Sequence, residues 1–253
     1  MITEYHRPAT LAAAVELMNG KHGKVVPLAG GTILRRKIET PFAVMDLQDL
    51  PIHKVEQQGS ELHIGAGVTL QQMVDTAQIP AVLRQACLEE ASYNLRQMGT
   101  VGGCAAGAGG RSTLLAVLLA MNAKLILLPG EEKVALGNIL PLRAEMLAGK
   151  LITTIVVDLS AAVSYQRVCK TPADQPLVGV AVCRWPSGRT RASVFGFGTV
   201  PALAMDGPTP AGLADAAKNA CAGASDAQTE ADYRTAMAGI LAKRCLDTRG
   251  EVA

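Results

Sequence analysis

Aromatic residues are scarce, making up 3% of the 253 residues. The core must therefore be built from Ala, Val, Leu and Ile, and the stacking platform that single-strand nucleic-acid binders use is missing. Charge is nearly balanced at +2, which leaves no electrostatic footprint for nucleic acid. No run of 18 apolar residues occurs, so no membrane span is expected. The opening MITEYHRPAT lacks the charged-then-apolar pattern of a secretory signal, and the expected compartment is the cytoplasm. The cysteines (Cys87, Cys104, Cys169, Cys183, Cys221, Cys245) form no C-x-x-C pair, which argues against an iron–sulfur or zinc site within the chain. Free, mostly buried thiols in a reducing compartment are expected instead. His6, His22, His53 and His63 show no H-x-x-x-H spacing, so neither a metal site nor hydrolytic metal chemistry is expected. No residue stands out as a catalytic acid or base. Asp46 and Glu90 read as structural carboxylates.

What the chain does have is 49% hydrophobic residues against 18% charged, the balance of a core-rich globular protein. Leu11, Val15 and Met18 recur at helical spacing over residues 9–18, with Thr10 placed to cap, and glycines 20–23 stop the helix. Residues 24–28 form a short apolar strand, 33–38 a short basic helix and 43–47 another strand. Beyond residue 52 the pattern gives a strand at 61–67, a helix capped by Thr69 and a helix opened by Pro80. A glycine-dense loop at 99–110 follows, then an apolar helix over 112–121 and strands at 124–128 and 151–159. Strands at 177–185 and 190–198 are joined by a Pro-Ser-Gly hairpin turn. Two helices, 210–222 and 229–246, and a frayed tail TRGEVA complete the chain. The mixed order argues for an α+β fold rather than a regular βαβ array.

Two glycine clusters carry the chemistry. In the first, LAGGT at 28–32, a strand runs into Gly-Gly and then a helix start. Glycines admit positive φ and close approach of a ligand, and a helix start offers unpaired N–H groups to a phosphate. Thr32 adds a hydroxyl, whereas Arg35 and Arg36 read more simply as a solvated helix face. The second cluster, GTVGGC at 99–104, can form a nest of successive N–H groups, with the helix from Ser112 starting near the same ligand. Two such clusters suit a ligand with two phosphates; two structural turns are the competing reading. Neither G-x-G-x-x-G after the first strand nor G-x-x-x-x-G-K-[ST] occurs, which disfavours a nicotinamide Rossmann domain and a P-loop nucleotidase.

YHRPATLAAAVELM, VVPLAGGTILRRK, AVMDLQDLP, ELHIGAGVTLQQM, NLRQMGTVGGCAA, GFGTVPALA and ADYRTAMAGILAKR together resemble the FAD-binding medium subunit of molybdenum hydroxylases, the xanthine dehydrogenase and carbon monoxide dehydrogenase family. The resemblance covers nearly the whole chain. It implies a two-subdomain FAD-binding domain of the vanillyl-alcohol-oxidase/PCMH type, residues 1–52 and 53–159, followed by a sheet-and-helix domain at 160–253. It implies FAD contacts at Leu28, Ala29, Gly30, Gly31, Thr32, Ile33 and Leu34 in the first loop. In the second loop they fall at Thr100, Gly102, Gly103 and Cys104, with Ile152 near an apolar flavin contact. The implied role is electron transfer, from iron–sulfur clusters on a small subunit to FAD here and on to NAD or another acceptor. Substrate oxidation then belongs to a molybdenum-cofactor large subunit.

The chain departs from the family in particular places. Cys104 stands where the family has Asn, and a thiol replaces an amide donor poorly. It reads either as a redox-sensitive thiol whose pKa is lowered by neighbouring N–H groups or, more simply, as a small loop filler. Ser112-Thr113 stands where the family has Ser-Asp, and Gln166, Arg167 and Lys170 compete for a basic position. The rival readings are an assembly subunit with weak or no FAD, and a stand-alone flavin oxidase.

Overall fold

Parallel strands need a crossover, and the N-terminus supplies one. The computed structural model describes residues 2–20, 24–32, 41–248 and 251–252. In it, β1 (Ile2–His6) leads through α1 (Leu11–Asn19) to β2 (Val25–Leu28), and both strands pair in parallel with β3 (Phe42–Asp46). Thr10 caps α1, its hydroxyl accepting the Ala13 N–H at 3.2 Å. Every residue of the central strand β3 is buried, as expected for a strand covered on both faces. The polar β1, ITEYH, was not expected from the sequence. It is an edge strand exposed at four of its five positions, so it carries no apolar signal. The expected helix over 33–38, Ile33 and Leu34 among the expected contacts, and Gly23 lie outside the described residues.

The second sheet is antiparallel, in the order β4 (Val55–Gln58), β5 (Glu61–Gly65), β8 (Leu151–Asp158), β6 (Lys124–Leu128), β7 (Glu132–Ala135). Leu62 and Ile64 on β5 and Leu125 and Leu127 on β6 turn to the buried face by simple alternation. Between β5 and β6 run α2 (Leu70–Asp75), α3 (Ala81–Glu90), α4 (Tyr93–Met98), α5 (Val101–Gly107) and α6 (Thr113–Ala120). All eight residues of α6, TLLAVLLA, are buried, which shows how a core short of aromatics is filled. The return from β7 to β8 uses the short α7 (Leu136–Ile139), a 3-10 turn and α8 (Arg143–Met146).

The third sheet has the order β12 (Ala202–Gly207), β11 (Thr190–Phe195), β10 (Val178–Arg184), β9 (Ala162–Val168), β13 (Glu251–Val252), and α9 (Leu213–Ala220) and α10 (Ala231–Asp247) pack against it. Strand β10 faces two cores. Val178, Val180 and Val182 pack with α9 and α10, while Ala181 and Cys183 join the larger core that begins at Ala14. The mixed architecture is the expected α+β one.

Two expectations are corrected. The glycine-dense stretch expected to be a loop contains helix α5, because Thr100 caps it and its packing against a neighbouring turn needs residues without side chains. The tail expected to fray places Glu251–Val252 as β13, antiparallel to β9.

Candidate functional site

Strand β2 delivers Leu28 directly into Ala29-Gly30-Gly31-Thr32. Gly31 has φ +68°, the left-handed region in which only glycine is unstrained. Gly30 meets the second cluster: a Cβ on it would lie 1.6 Å from the Met98 carbonyl oxygen. The Thr32 hydroxyl lies 3.6 Å from where a Gly99 Cβ would stand, and Leu28 Cδ1 lies 3.3 Å from the corresponding point on Gly31. The fold therefore brings the two glycine clusters into backbone contact. Among the described residues, the N–H groups of Ala29, Gly30, Gly31 and Thr32 donate to no protein acceptor.

At the second cluster the amides of Gly99, Val101, Gly102, Gly103 and Cys104 are occupied, and that of Thr100 has no acceptor among the described residues. The Gly99 carbonyl accepts from Leu70 N–H (2.8 Å), Val101 N–H donates to the Val68 carbonyl (3.0 Å) and Gly102 N–H to the Ala66 carbonyl (2.9 Å). Gly103 N–H donates to the Thr100 hydroxyl (3.1 Å), and Cys104 N–H to the Thr100 carbonyl (2.9 Å). The expected nest of free N–H groups is thus corrected: these donors build α5 and tie it to the turn at residues 66–69. Gly102 lacks a Cβ because Ala66 is there, its own Cβ 2.6 Å from the point in question. Ala66 N–H in turn donates to the Thr153 carbonyl (2.8 Å), which draws Ile152, buried opposite Leu127, toward the same turn.

The N-terminus of α6 is also filled from within. The Ser112 hydroxyl accepts the Leu115 N–H and Glu90 Oε2 accepts the Leu114 N–H, both at 3.0 Å. A carboxylate already stands where the helix dipole would favour an anion. The Leu114 and Leu115 N–H groups at this helix start are therefore not free for a ligand. Burial raises the Glu90 pKa, against the lowering effect of the Leu114 N–H and the Ser112 hydroxyl. Thr113 Oγ1 is buried with no hydrogen-bond partner in the structure.

The Cys104 thiol is pushed well above its ordinary pKa by burial first, then by Glu90 and Cys87. That is opposite to what a reactive thiol needs and supports the small-filler reading, with Cys104 buried in helix α5 rather than in a loop. Asp46 is structural, accepting the Tyr5 hydroxyl and the Gln48 N–H. Of the three basic-position candidates, Arg167 reaches α3, with Nε 2.8 Å from Glu89 Oε2.

Sequence reasoning did not single out Met98 or Arg96. Arg96 donates to Gln71 (3.1 Å) and to the carbonyls of Leu88 (3.3 Å) and Ala91 (2.8 Å), holding α4 so that Met98 abuts Gly30. Its only signal was its place four residues before Thr100. A separate cleft of about 350 Å³, lined by Leu11, Ile52, Lys54, His63 and Thr153, contains none of the glycine-loop residues. Among the described residues no cluster of His, Cys, Asp and Glu is arranged to hold a metal, and no helix is long and apolar enough to cross a membrane.

Residues 1–158 match the family model described as the FAD binding domain in molybdopterin dehydrogenase. The chain is 26% identical over 275 residues to the carbon monoxide dehydrogenase medium chain of Afipia carboxidovorans, covering 96% of this chain and 95% of that one. Its fold superposes on a chain of the Cu,Mo-CO dehydrogenase in its cyanide-inactivated form with a TM-score of 0.83 at 24% identity, covering 100% of this chain and 99% of the other. A chain of quinoline 2-oxidoreductase from Pseudomonas putida 86 gives a TM-score of 0.80 at 18% identity, covering 97% and 96%.

Proposed function

Because this chain belongs to the family of FAD-binding domains of molybdopterin dehydrogenases, whose cofactor is FAD, we propose that it is the electron-transfer subunit of a multi-subunit molybdenum hydroxylase. It takes electrons from iron–sulfur clusters on a small subunit and passes them to NAD or another acceptor, while a molybdenum-cofactor large subunit oxidises the substrate. The relative in Afipia is called a medium chain, which supports the presence of companion chains. In this reading the large subunit selects the substrate. Whether the assembly is of the xanthine dehydrogenase or the carbon monoxide dehydrogenase kind is therefore decided outside this chain. The compartment we propose is the cytoplasm, and the domain division is 1–52, 53–159 and 160–253.

The observation that carries the proposal is the contact between the two glycine clusters, with the amides of Ala29, Gly30, Gly31 and Thr32 left as donors on one side. These residues fit a diphosphate: backbone N–H groups beside a positive-φ glycine bind phosphate oxygens without side-chain charge. We place FAD at Leu28, Ala29, Gly30, Gly31, Thr32, Ile33 and Leu34. Thr100, Gly102, Gly103 and Cys104 form the opposing wall, and Ile152 supplies an apolar surface. When bound, FAD supplies the redox chemistry, and the chain supplies position and exclusion of water. Thr100 orders the wall by capping α5, and Met98 fixes its distance from Gly30.

The occupied amides of the second cluster favour one alternative, an assembly subunit that holds FAD weakly. Native mass spectrometry of the complex isolated through this chain separates the readings. One FAD together with two other kinds of chain is the expected result. Partners without FAD would support the assembly reading, and FAD without partners a stand-alone flavin oxidase.

A further inference from the structure

The glycine-dense segment continues α5 to Gly107 and is bonded beyond it at Ala108, whose carbonyl accepts from Arg143 Nη1 at 2.7 Å. Residues 105–110 read AAGAGG and offer no polar side chain. The first polar side chain after them is Arg111, and it crosses to the third sheet and its helices. Arg111 Nη2 lies 2.6 Å from Asp226 Oδ2, and Nη1 donates to the Pro176 carbonyl at 3.0 Å and to Gln228 at 3.4 Å.

Asp226 is itself held from behind. Its Oδ2 accepts from Arg234 Nη2 at 2.8 Å, and its Oδ1 accepts the N–H groups of Gln228 (2.8 Å) and Thr229 (3.3 Å). Arg234 is wholly buried. It also donates to the carbonyls of Leu177 and Ala224, and its guanidinium sits 5.5 Å from the centre of the Phe197 ring. The backbone agrees with this picture. The Gly196 N–H donates to the Gly110 carbonyl at 2.8 Å, and a Cβ on Gly110 would lie 1.8 Å from the Phe197 carbonyl oxygen.

We infer that Asp226, acting through Arg111, is a positioning residue for the second glycine loop of the FAD site. This rests on the FAD reading above. One end of the segment is fixed at the turn after β5, where the Gly102 and Val101 N–H groups donate to the Ala66 and Val68 carbonyls. The other end is fixed at 110–111 by a carboxylate from the last third of the chain, itself locked by a buried arginine. The wall opposite Gly30 therefore has its place set by two parts of the molecule. The Asp226 carboxylate is suited to this. Desolvation opposes its ionisation, yet the Gln228 N–H and Arg234 hold its pKa down to about 2, so it is charged throughout the physiological range.

The test compares the full-length wild-type chain with Arg111→Ala, Asp226→Asn and the double variant. FAD affinity is read by flavin fluorescence titration, and amide hydrogen exchange over residues 107–112 is read in the FAD-free protein. Each single variant is expected to bind FAD roughly tenfold more weakly, the scale of one lost charge-assisted hydrogen bond. The double variant is expected to be no weaker than either single one, because both changes break the same bridge. Exchange over 107–112 is expected to quicken in all three, while α10 keeps its protection in Arg111→Ala. Wild-type affinity in both single variants would overturn the inference even with faster exchange, and additive losses would also overturn it. If the wild-type chain itself binds no FAD, the FAD reading fails, and unchanged exchange in Arg111→Ala would separately refute the bridge.

Discussion

A methyl group at position 30 would stand 1.6 Å from the Met98 carbonyl oxygen, so Gly30→Ala must push the two loops apart. Overpacking of this kind costs about 1–3 kcal/mol. The expected result is a lower denaturant midpoint and an FAD affinity reduced at least roughly tenfold, a loss of about 1.4 kcal/mol in binding. Gly109 has open space around it, so Gly109→Ala is the matched control, with stability expected within about 0.5 kcal/mol of wild type. Glu90 gives a second test at this scale, in pH. Its folded pKa is raised above the ordinary 4.5, so the unfolded chain gives up its proton first as pH rises. Between 4.5 and the raised folded value the native state binds more protons, and stability from this group falls with rising pH. Glu90→Gln removes that dependence. The variant is expected to gain on wild type as pH climbs from 4.5, measured as the difference in urea midpoints; a constant difference would contradict the assignment. In the sequence, Gly30 and Gly31 were legible because a glycine pair between a strand and a helix start reads as either a phosphate loop or a turn. Met98 was not, because its part is played by a carbonyl oxygen that any residue carries.

The cap of α5 sets the shape of the second wall. Thr100 takes the Gly103 N–H on its hydroxyl, and Thr100→Val removes that acceptor with little change in size. The expected cost is ~1 kcal/mol, read from a chemical denaturation curve, with a matching rise in FAD dissociation rate. Stability equal to wild type would show that the cap contributes nothing. The strongly apolar elements, α6, β6 and β8, were legible by pattern. Edge strands were not: β1 and β4 are polar and exposed, and their pairing is decided by the parallel or antiparallel neighbour rather than by their own residues. Helix α5 was hidden for a related reason. Its sequence VGGCAAG has poor helix propensity, and the contacts of Val101 and Gly102 with the 66–68 turn override it.

Across the molecule, two ion pairs and a side-chain-to-backbone hydrogen bond tie the third sheet and its helices to the rest. Arg167 meets Glu89 on α3, Arg111 meets Asp226, and Arg191 reaches the Leu119 carbonyl at the end of α6. Arg234 lies deepest, and Arg234→Met would leave Asp226 with one cation fewer and two carbonyls without their donor. Leaving the buried Leu177 carbonyl without its donor costs about 1–3 kcal/mol, so this variant is expected to melt below wild type, as followed by circular dichroism. Such long-range partnerships leave no trace in local sequence pattern. The family resemblance conveyed the whole-molecule architecture, while the physics of individual residues conveyed only that two glycine clusters suit a diphosphate.

The central claim is that the two clusters make one FAD site. The most direct measurement is a calorimetric titration of FAD into the purified full-length chain and into Gly31→Val, which places a branched side chain at φ +68°. One FAD per wild-type chain is expected, with at least about a tenfold weaker affinity in the variant, a difference of ~1.4 kcal/mol. Equal affinity in the two proteins, or no heat of binding from a folded wild-type chain, would contradict it.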